Sequence, residues 1–478
     1  MARKALFGPR VRTLRSQRGL NQTELAEKLG ISVSYLNLIE HNQRPITVPL
    51  LIRVAEVLEV ALQSFSEDDE ARLLSDLREV FSDPVLGVSP PADELRQIAS
   101  GAPAAGRAVL DLYRAYRRLR DGQAAAQERT SSPALPDDAI AYRLASEEVS
   151  DMIQARANYF PAIEAAAEQL RRDARLESGN TYAGLVRHLK QAHGITTEIV
   201  PLQAAQGAVR RFDARNRKLL LCEVLPPPSR TFHLSHQIAL LGHRATLDNE
   251  IAETVFQNPD SAVLGRIALA SYFAGATVMP YEEFLAAARG AKHDIDILES
   301  RFGASFEQVC HRLTTLQRPG ARGIPMHFLR VDLAGNISKR FSASGIQISR
   351  FGGACPRWNV HDAFMTPGMI RTQVSRMSDG RGYFCIARTV RKPGGGYRHA
   401  QNYLAIGLGC DIEHAREFVY AEAVDLKNPD AFVPIGVSCR ICDRMNCRQR
   451  AFPPLNHRLV VDENVRGASA YVAPGELI

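Results

Sequence analysis

The chain has 478 residues, of which 45% are hydrophobic and 23% charged. This is the make-up of a soluble globular protein with about two to four domains. No uninterrupted apolar run approaches the ~20 residues of a membrane span, and the basic N-terminus lacks the apolar stretch of a signal peptide. No membrane partner is expected, and the expected location is the cytoplasm. A formal charge of +7 suits anionic partners such as DNA or phosphorylated cofactors without choosing among them.

Residues 1–65 read as a compact helical unit. Val11 and Leu14 begin an amphipathic first helix. Asn21 caps a second, "QTELAEKLG", with Glu24 at the capping-box position. Gly30 ends that helix, Ser32 caps a third, "VSYLNLIE", and "LLIRVAEVL" closes the core. This is helix-turn-helix organisation. Over residues 8–62 the pattern Gln-Thr-Glu-Leu-Ala, Gly-Ile-Ser, Tyr-Leu, Ile-Glu, Arg-Pro resembles the Cro/C1-type DNA-binding domains. The resemblance implies that the "VSYLNLIE" helix enters the major groove. It makes Val33, Ser34, Asn37 and Leu38 the base-reading candidates, with Ser32 and Tyr35 beside them. Gln22 takes the family's phosphate-contact position, and Arg12, Arg15 and Arg44 are further phosphate candidates. A double-stranded operator and a homodimer, or a higher homo-oligomer, are the partners this implies.

Residues 66–139 read as a helical connector. "LLSDLREVF" and "AVLDLYRAYRRLRD" carry apolar residues at helical spacing, separated by the loop "SDPVLGVSPPAD". The Ser-, Pro- and Asp-rich "QERTSSPALPDDA" marks a boundary.

Residues 140–323 form a mostly helical region centred on "FHLSHQIAL". Two changes would make this stretch a zinc-peptidase helix of the His-Glu-x-x-His type. Such an enzyme needs two histidines one turn apart, a glutamate to take a proton from metal-bound water, and a third protein ligand. His236 holds the first ligand position, but Gln237 replaces the base and Leu240 the second histidine. The segment "IALASYFAGATVMPYEEF" resembles the third-ligand helix of the ImmA/IrrE-type (M78) metallopeptidases, with Leu269 at the ligand position. The reading is a peptidase fold without peptidase chemistry, hence no enzyme, and a cleft turned to ligand binding.

Residues 324–478 alternate short runs rich in β-branched and aromatic residues with glycine-containing turns, the texture of an α+β domain. The fold class expected is therefore mainly α with an α+β C-terminal domain. Near the end, "VSCRICDRMNCRQRAFPP" places Cys439, Cys442 and Cys447 within nine residues. Three thiolates this close can converge on one metal, and Cys410 is the first choice for a fourth, ahead of Cys385 or Cys355. Four cysteines suit an iron–sulfur cluster or a structural zinc, and spacing alone does not separate them.

The whole order, together with the Cys-Arg-x-Cys-x-Arg-x-x-Cys-x-x-Arg-Ala segment, resembles the bacterial short-chain fatty acyl transcriptional regulators. Their regulators control propionyl-CoA, methylcitrate or acetate/glyoxylate metabolism. The resemblance implies an acyl-CoA effector and tips the cysteine site towards a [4Fe–4S] cluster. A CoA receptor needs cations for phosphates and an apolar slot for the acyl group. The candidates are Arg156, Asn158 and Tyr159, Arg230, His233 and His236, Tyr272, and Lys339 with Arg340. Two other functions fit the same domains. One is a repressor-cleaving metallopeptidase fused to a DNA-binding domain, and the other a ligand-independent repressor of the phage or toxin–antitoxin kind.

Overall fold

The computed structural model describes residues 8–453 apart from 42, 59–66, 89, 129–137, 178, 351–352, 393 and 395–400. Most of the boundary expected at 127–139 lies outside the described residues.

Four helices form the head: α1 (Gly8–Gln17), α2 (Gln22–Leu29), α3 (Val33–Glu40) and α4 (Val48–Val57). Their ends follow local chemistry. Asn21 and Glu24 exchange side-chain and backbone hydrogen bonds of 2.7 and 2.9 Å, the reciprocal capping box. Gly30 closes α2 in the left-handed region at φ 66°, where a side chain would be strained. Ser32 Oγ accepts from Tyr35 N at 3.1 Å to start α3. Val11, Leu25, Leu29, Leu36, Ile39, Val54 and Leu58 bury together as the core.

The connector is α5 (Glu67–Val80), α6 (Ala92–Gly101) and α7 (Pro103–Glu128). Leu73, Leu77, Leu95, Leu110 and Tyr113 make its core. Gly106 permits the close approach of α7, since a Cβ there would meet Leu73 at 3.2 Å and Leu77 at 3.3 Å. Buried Glu79 on α5 accepts from Ser349 Oγ at 2.8 Å and from Arg350 N at 2.7 Å. Head, connector, residues 349–352 and the chain from 437 onward make one compact unit, and residues 131–348 with 353–436 make the other. The α+β domain expected over 324–478 is thus split, its cysteine segment clustering with the first unit.

In the second unit, α8 (Asp138–Ala155), α9 (Pro161–Asp173) and α10 (Thr181–His193) lead into β1 (Thr196–Val200), β2 (Arg210–Asp213) and β3 (Lys218–Cys222). These strands form a small sheet in the order β1-β3-β2, with β1 parallel and β2 antiparallel to β3. Helices α11 (Pro227–Gly242), α12 (Arg244–Ala252) and α13 (Pro259–Val278) follow. Phe160, Ile163, Leu170, Leu185, Leu219, Leu234, Ile238, Leu269 and Phe273 fill the core between them. By length and composition α13 would cross a membrane, yet it packs against α8, α9 and α11 as a core helix.

Next come α14 (Tyr281–Gly290), α15 (Ile295–Phe302), α16 (Phe306–Thr314), β4 (Met326–Asp332), β5 (Ile337–Ser342) and α17 (Asn359–Asp362). Strands β6 (Arg371–Arg376), β7 (Gly382–Lys392), β8 (Asn402–Asp411) and β9 (Phe432–Pro434) complete the fold. The large sheet runs β5-β4-β8-β7-β6-β9, antiparallel except for the β6–β9 pair. Phe284, Leu298, Val309 and Leu313 from the helices bury against Phe328, Phe384, Ile406 and Leu408 of the sheet. The divide expected between residues 323 and 324 therefore runs through a single hydrophobic core.

One polar network crosses this apolar interior. Arg312 on α16 donates to both oxygens of Glu164 on α9, at 2.6 and 3.0 Å. Tyr272 on α13 donates to Glu164 at 2.6 Å, and Arg312 Nε donates to the Met279 carbonyl at 2.8 Å. Both charged side chains are at most 3% exposed. Removing one partner strands the other charge in a dry interior, at a cost of about 3–5 kcal/mol. Glu164→Ala is expected to destabilise the second unit by that amount in urea unfolding. The double variant Glu164→Ala/Arg312→Met is expected to be more stable than Glu164→Ala alone. A single variant that unfolds like the parent would contradict this account of the network.

Candidate DNA-reading and ligand-binding sites

The head presents α3 with Val33, Ser34 and Asn37 exposed and Tyr35 and Leu38 half-buried, as a groove-reading helix requires. Ser32 is spent on its cap. Glu40, buried at the far end of α3, organises the motif. It takes Arg15 Nε at 2.6 Å, Arg15 Nη2 at 3.1 Å and Gln22 Nε2 at 2.7 Å. The Gln22 amide also reaches Asn37 Oδ1 at 3.4 Å, so the expected phosphate contact and a base reader are held side by side. Arg15 does not stand ready for a phosphate: its remaining nitrogen donates to the Leu20 carbonyl at 2.9 Å. Arg12 and Arg44 are exposed.

In the second unit α11 carries the degenerate peptidase segment. His236 and Gln237 are buried, Leu269 on α13 is buried in the core, and Leu240 packs against that core. Arg210 on β2 directs Nη1 at His236 Nδ1 at 2.5 Å. A guanidinium only donates, so Nδ1 accepts and the ring proton sits on Nε2. The Ile267 backbone carbonyl also meets the ring. Neither nitrogen keeps a lone pair for a metal. Burial, then the Arg210 charge, pushes His236 down to about 3. Burial, then Arg210 and Lys392, pushes His233 to about 4. Water activation of the zinc-peptidase kind has no base, no second histidine and no third ligand at the positions where that chemistry places them.

A run of cations extends from this helix to the large sheet. Lys392 on β7 acts on His233 and forms an ion pair with Glu307 on α16. Glu307 also holds Arg330 on β4 at 2.8 Å. Lys339 on β5 lies within the field of Glu307, Arg330 and Lys392, and burial lowers its ammonium to about 8. Three cations thus share one carboxylate. Arg340 neighbours Lys339 on β5.

The other expected ligand groups are committed elsewhere. Arg156 pairs with Glu250 and Glu253. Asn158, buried and at φ 54°, donates to Thr314 Oγ1 at 2.9 Å. Tyr272 belongs to the Glu164 network. Arg230 donates to the Glu223 carbonyl at 2.8 Å. Tyr159 accepts from Arg318 Nε at 3.2 Å. Of the nine candidates only His233, His236 and Lys339 fall along the cation run. Sequence reasoning missed Arg210, Arg330 and Lys392, because strand register and not spacing brings them in.

The cysteine segment is wrapped around one side chain. Buried Arg450 donates to the carbonyls of Cys439 at 2.6 Å, Cys442 at 2.8 Å, Arg444 at 2.6 Å and Phe452 at 3.3 Å. Ala451 N approaches Cys439 Sγ at 3.4 Å. Burial raises Cys442, which Arg444 and Arg450 offset only in part. A half-buried thiol loop with its carbonyls tied inward and cations close by suits thiolate ligation. Cys410, the expected fourth ligand, lies in the other unit. It sits in β8 of the second unit, within the core that includes Met326 and Phe384, and burial holds its thiol protonated. Cys385 and Cys355 are buried too. Among the described residues, no three His, Cys, Asp or Glu side chains are already arranged as metal ligands.

Three family models match in sequence order. Residues 11–65 match a helix-turn-helix model, 190–314 the IrrE N-terminal-like domain, and 315–471 the short-chain fatty acyl coenzyme A regulator C-terminal model. The chain is 42% identical to the propionyl-CoA carboxylase regulator of Cereibacter sphaeroides, over 98% of this chain and 99% of that protein. It is 40% identical to the HTH-type transcriptional regulator PrpR of Mycobacterium tuberculosis, over 98% and 96%. The regulator RamB of the same organism matches at 40% over 98% and 99%. A solved structure described as a Mycobacterium tuberculosis transcriptional regulator superposes with a TM-score of 0.66 at 42% identity, covering 69% of this chain and 99% of that one.

The neutral histidines have a measurable consequence. A histidine lowered in the fold takes its proton only after unfolding, where it titrates at about 6.5. Its stabilising contribution is whole above that pH and drains away as pH falls towards the folded values of about 4 and about 3. Stability of the second unit is expected to fall from pH 6.5 to pH 4. His236→Asn is expected to flatten that slope by up to about 1.4 kcal/mol per pH unit. Urea unfolding across this pH range checks it, and an unchanged slope in the variant would contradict it.

Proposed function

The chain belongs to the short-chain fatty acyl coenzyme A regulators, a family of helix-turn-helix transcription factors, and from that premise we propose that it couples operator binding to a short-chain acyl-CoA. In this reading it works in the cytoplasm as a homodimer. Its heads grip a two-fold operator, and the stripped peptidase region receives the thioester. Propionyl-CoA is the effector favoured by analogy with the Cereibacter sphaeroides relative's name.

The observation that supports the effector class is the excess of cations in the second unit. Arg330, Lys339 and Lys392 crowd around the single carboxylate of Glu307. Such an excess favours a phosphate-bearing ligand. Peptide hydrolysis has no part in this reading, because Gln237 cannot take a proton from water.

Cys439, Cys442 and Cys447 supply three thiolates to an iron–sulfur cluster in this proposal, and Arg450 holds their loop in shape. The cluster would add a redox-responsive or structural element to the first unit.

Titration calorimetry with propionyl-CoA tests the effector. Saturable binding without hydrolysis is expected. The absence of binding to any short-chain CoA thioester, or chelator-sensitive cleavage of a polypeptide, would refute it. For the cluster, anaerobic purification is expected to yield iron in the parent and in Cys410→Ala, and to lose it in Cys442→Ala. Stoichiometric zinc without iron would overturn the cluster assignment.

A further inference from the structure

We infer that Arg210, held in place by His236, and His233 form an anion site that grips a phosphate group of the ligand. The inference deepens the acyl-CoA reading and rests on it only for what carries the phosphate.

Arg210 differs from the ion-paired arginines of the second unit. Arg312 has Glu164, Arg156 has Glu250 and Glu253, Arg266 has Asp248, Arg330 has Glu307 and Arg388 has Asp296 and Glu299. Arg210 is partly buried, and its one hydrogen bond is to the neutral ring of His236. It has no carboxylate partner among the described residues. Withdrawing a cation from water without an opposite charge is costly, and such groups are ordinarily paired. Here the pairing charge is missing among the described residues.

The surroundings have the same sign. The charges acting on His233 are Arg210 and Lys392, and those acting on His236 are Arg210 and His233. His233 adds a second open valence: its Nδ1 is buried and has no hydrogen-bond partner. A guanidinium presenting parallel N–H donors, with an imidazole able to donate beside it, suits the tetrahedral oxygens of a phosphate. The same guanidinium blocks His236 from ligating a metal. The place where a hydrolase would hold zinc is therefore fitted with a fixed organic cation that attracts anions and activates no water.

The test uses the full-length protein and three probes: inorganic pyrophosphate, propionyl-CoA and the phosphate-free thioester propionyl-pantetheine. Arg210→Gln keeps an N–H donor near His236 and removes the charge, and Arg210→Ala removes both. Circular dichroism and unfolding establish that each variant is folded. Arg210→Gln is expected to bind pyrophosphate and propionyl-CoA roughly 10–100-fold more weakly than the parent. Propionyl-pantetheine is expected to bind parent and variant alike. Parent-like pyrophosphate binding by folded Arg210→Gln would overturn the inference. So would an equal loss towards propionyl-pantetheine, which would make Arg210 a packing residue. Propionyl-CoA bound equally by parent and variant would leave the acyl-CoA reading standing and remove this one. Arg210-dependent pyrophosphate binding with no thioester bound would do the reverse.

Discussion

The bidentate pair between Arg312 and Glu164 is the constraint on which the second unit depends. With Tyr272 it joins α9 to α13 and α16, which lie more than a hundred residues further along the chain, at a point with almost no solvent. Apolar packing alone would let these helices slide in register against each other. A guanidinium with its nitrogens on one carboxylate, the Met279 carbonyl and Thr315 admits one arrangement. That arrangement positions both helices that matter downstream. α13 backs the degenerate peptidase helix, and α16 carries Glu307 into the cations of the large sheet.

Against that rigid frame the old hydrolase cleft makes chemical sense. The positions of the zinc-peptidase base, second histidine and third ligand hold Gln237, Leu240 and Leu269, so two of the three are apolar and none is a histidine or a carboxylate. What remains polar is cationic. Arg210 meets His236, Lys392 reaches towards His233, and Glu307 is outnumbered by the basic groups around it. A region without the zinc-peptidase base, whose buried histidines resist protonation, suits the charged metabolite of the proposed function.

Features set by a few neighbouring residues were legible in the sequence. The Asn21–Glu24 capping box, the Gly30 turn and the Ser32 cap appear where the pattern put them, because each is closed within three or four residues. The replacement of the zinc-peptidase residues by Gln237, Leu240 and Leu269 was equally visible, since it is a matter of side-chain identity. Long-range pairing was not. Arg15 reads as a phosphate contact until Glu40, twenty-five residues on, is found beneath it. Tyr272 and Asn158 read as ligand groups until the core closes over them. That one core takes in residues on both sides of the break drawn at 323 was not legible either, because amphipathic helices such as α16 look alike whether their apolar face meets other helices or a sheet. Cys410 has the spacing-independent look of a ligand, but strand register turns it into core.

The central claim is that an anionic thioester held in the second unit changes how the head binds DNA. Such a coupling requires unequal affinity for the free and operator-bound forms, and its usual size is 1–3 kcal/mol, about 5–150-fold. The most direct measurement is the affinity for labelled operator DNA, by fluorescence anisotropy, at zero and at saturating propionyl-CoA and at fixed salt. The account predicts a shift within that range, matched by an equal shift in thioester affinity when operator is present. An operator affinity that stays the same while propionyl-CoA is demonstrably bound would contradict it.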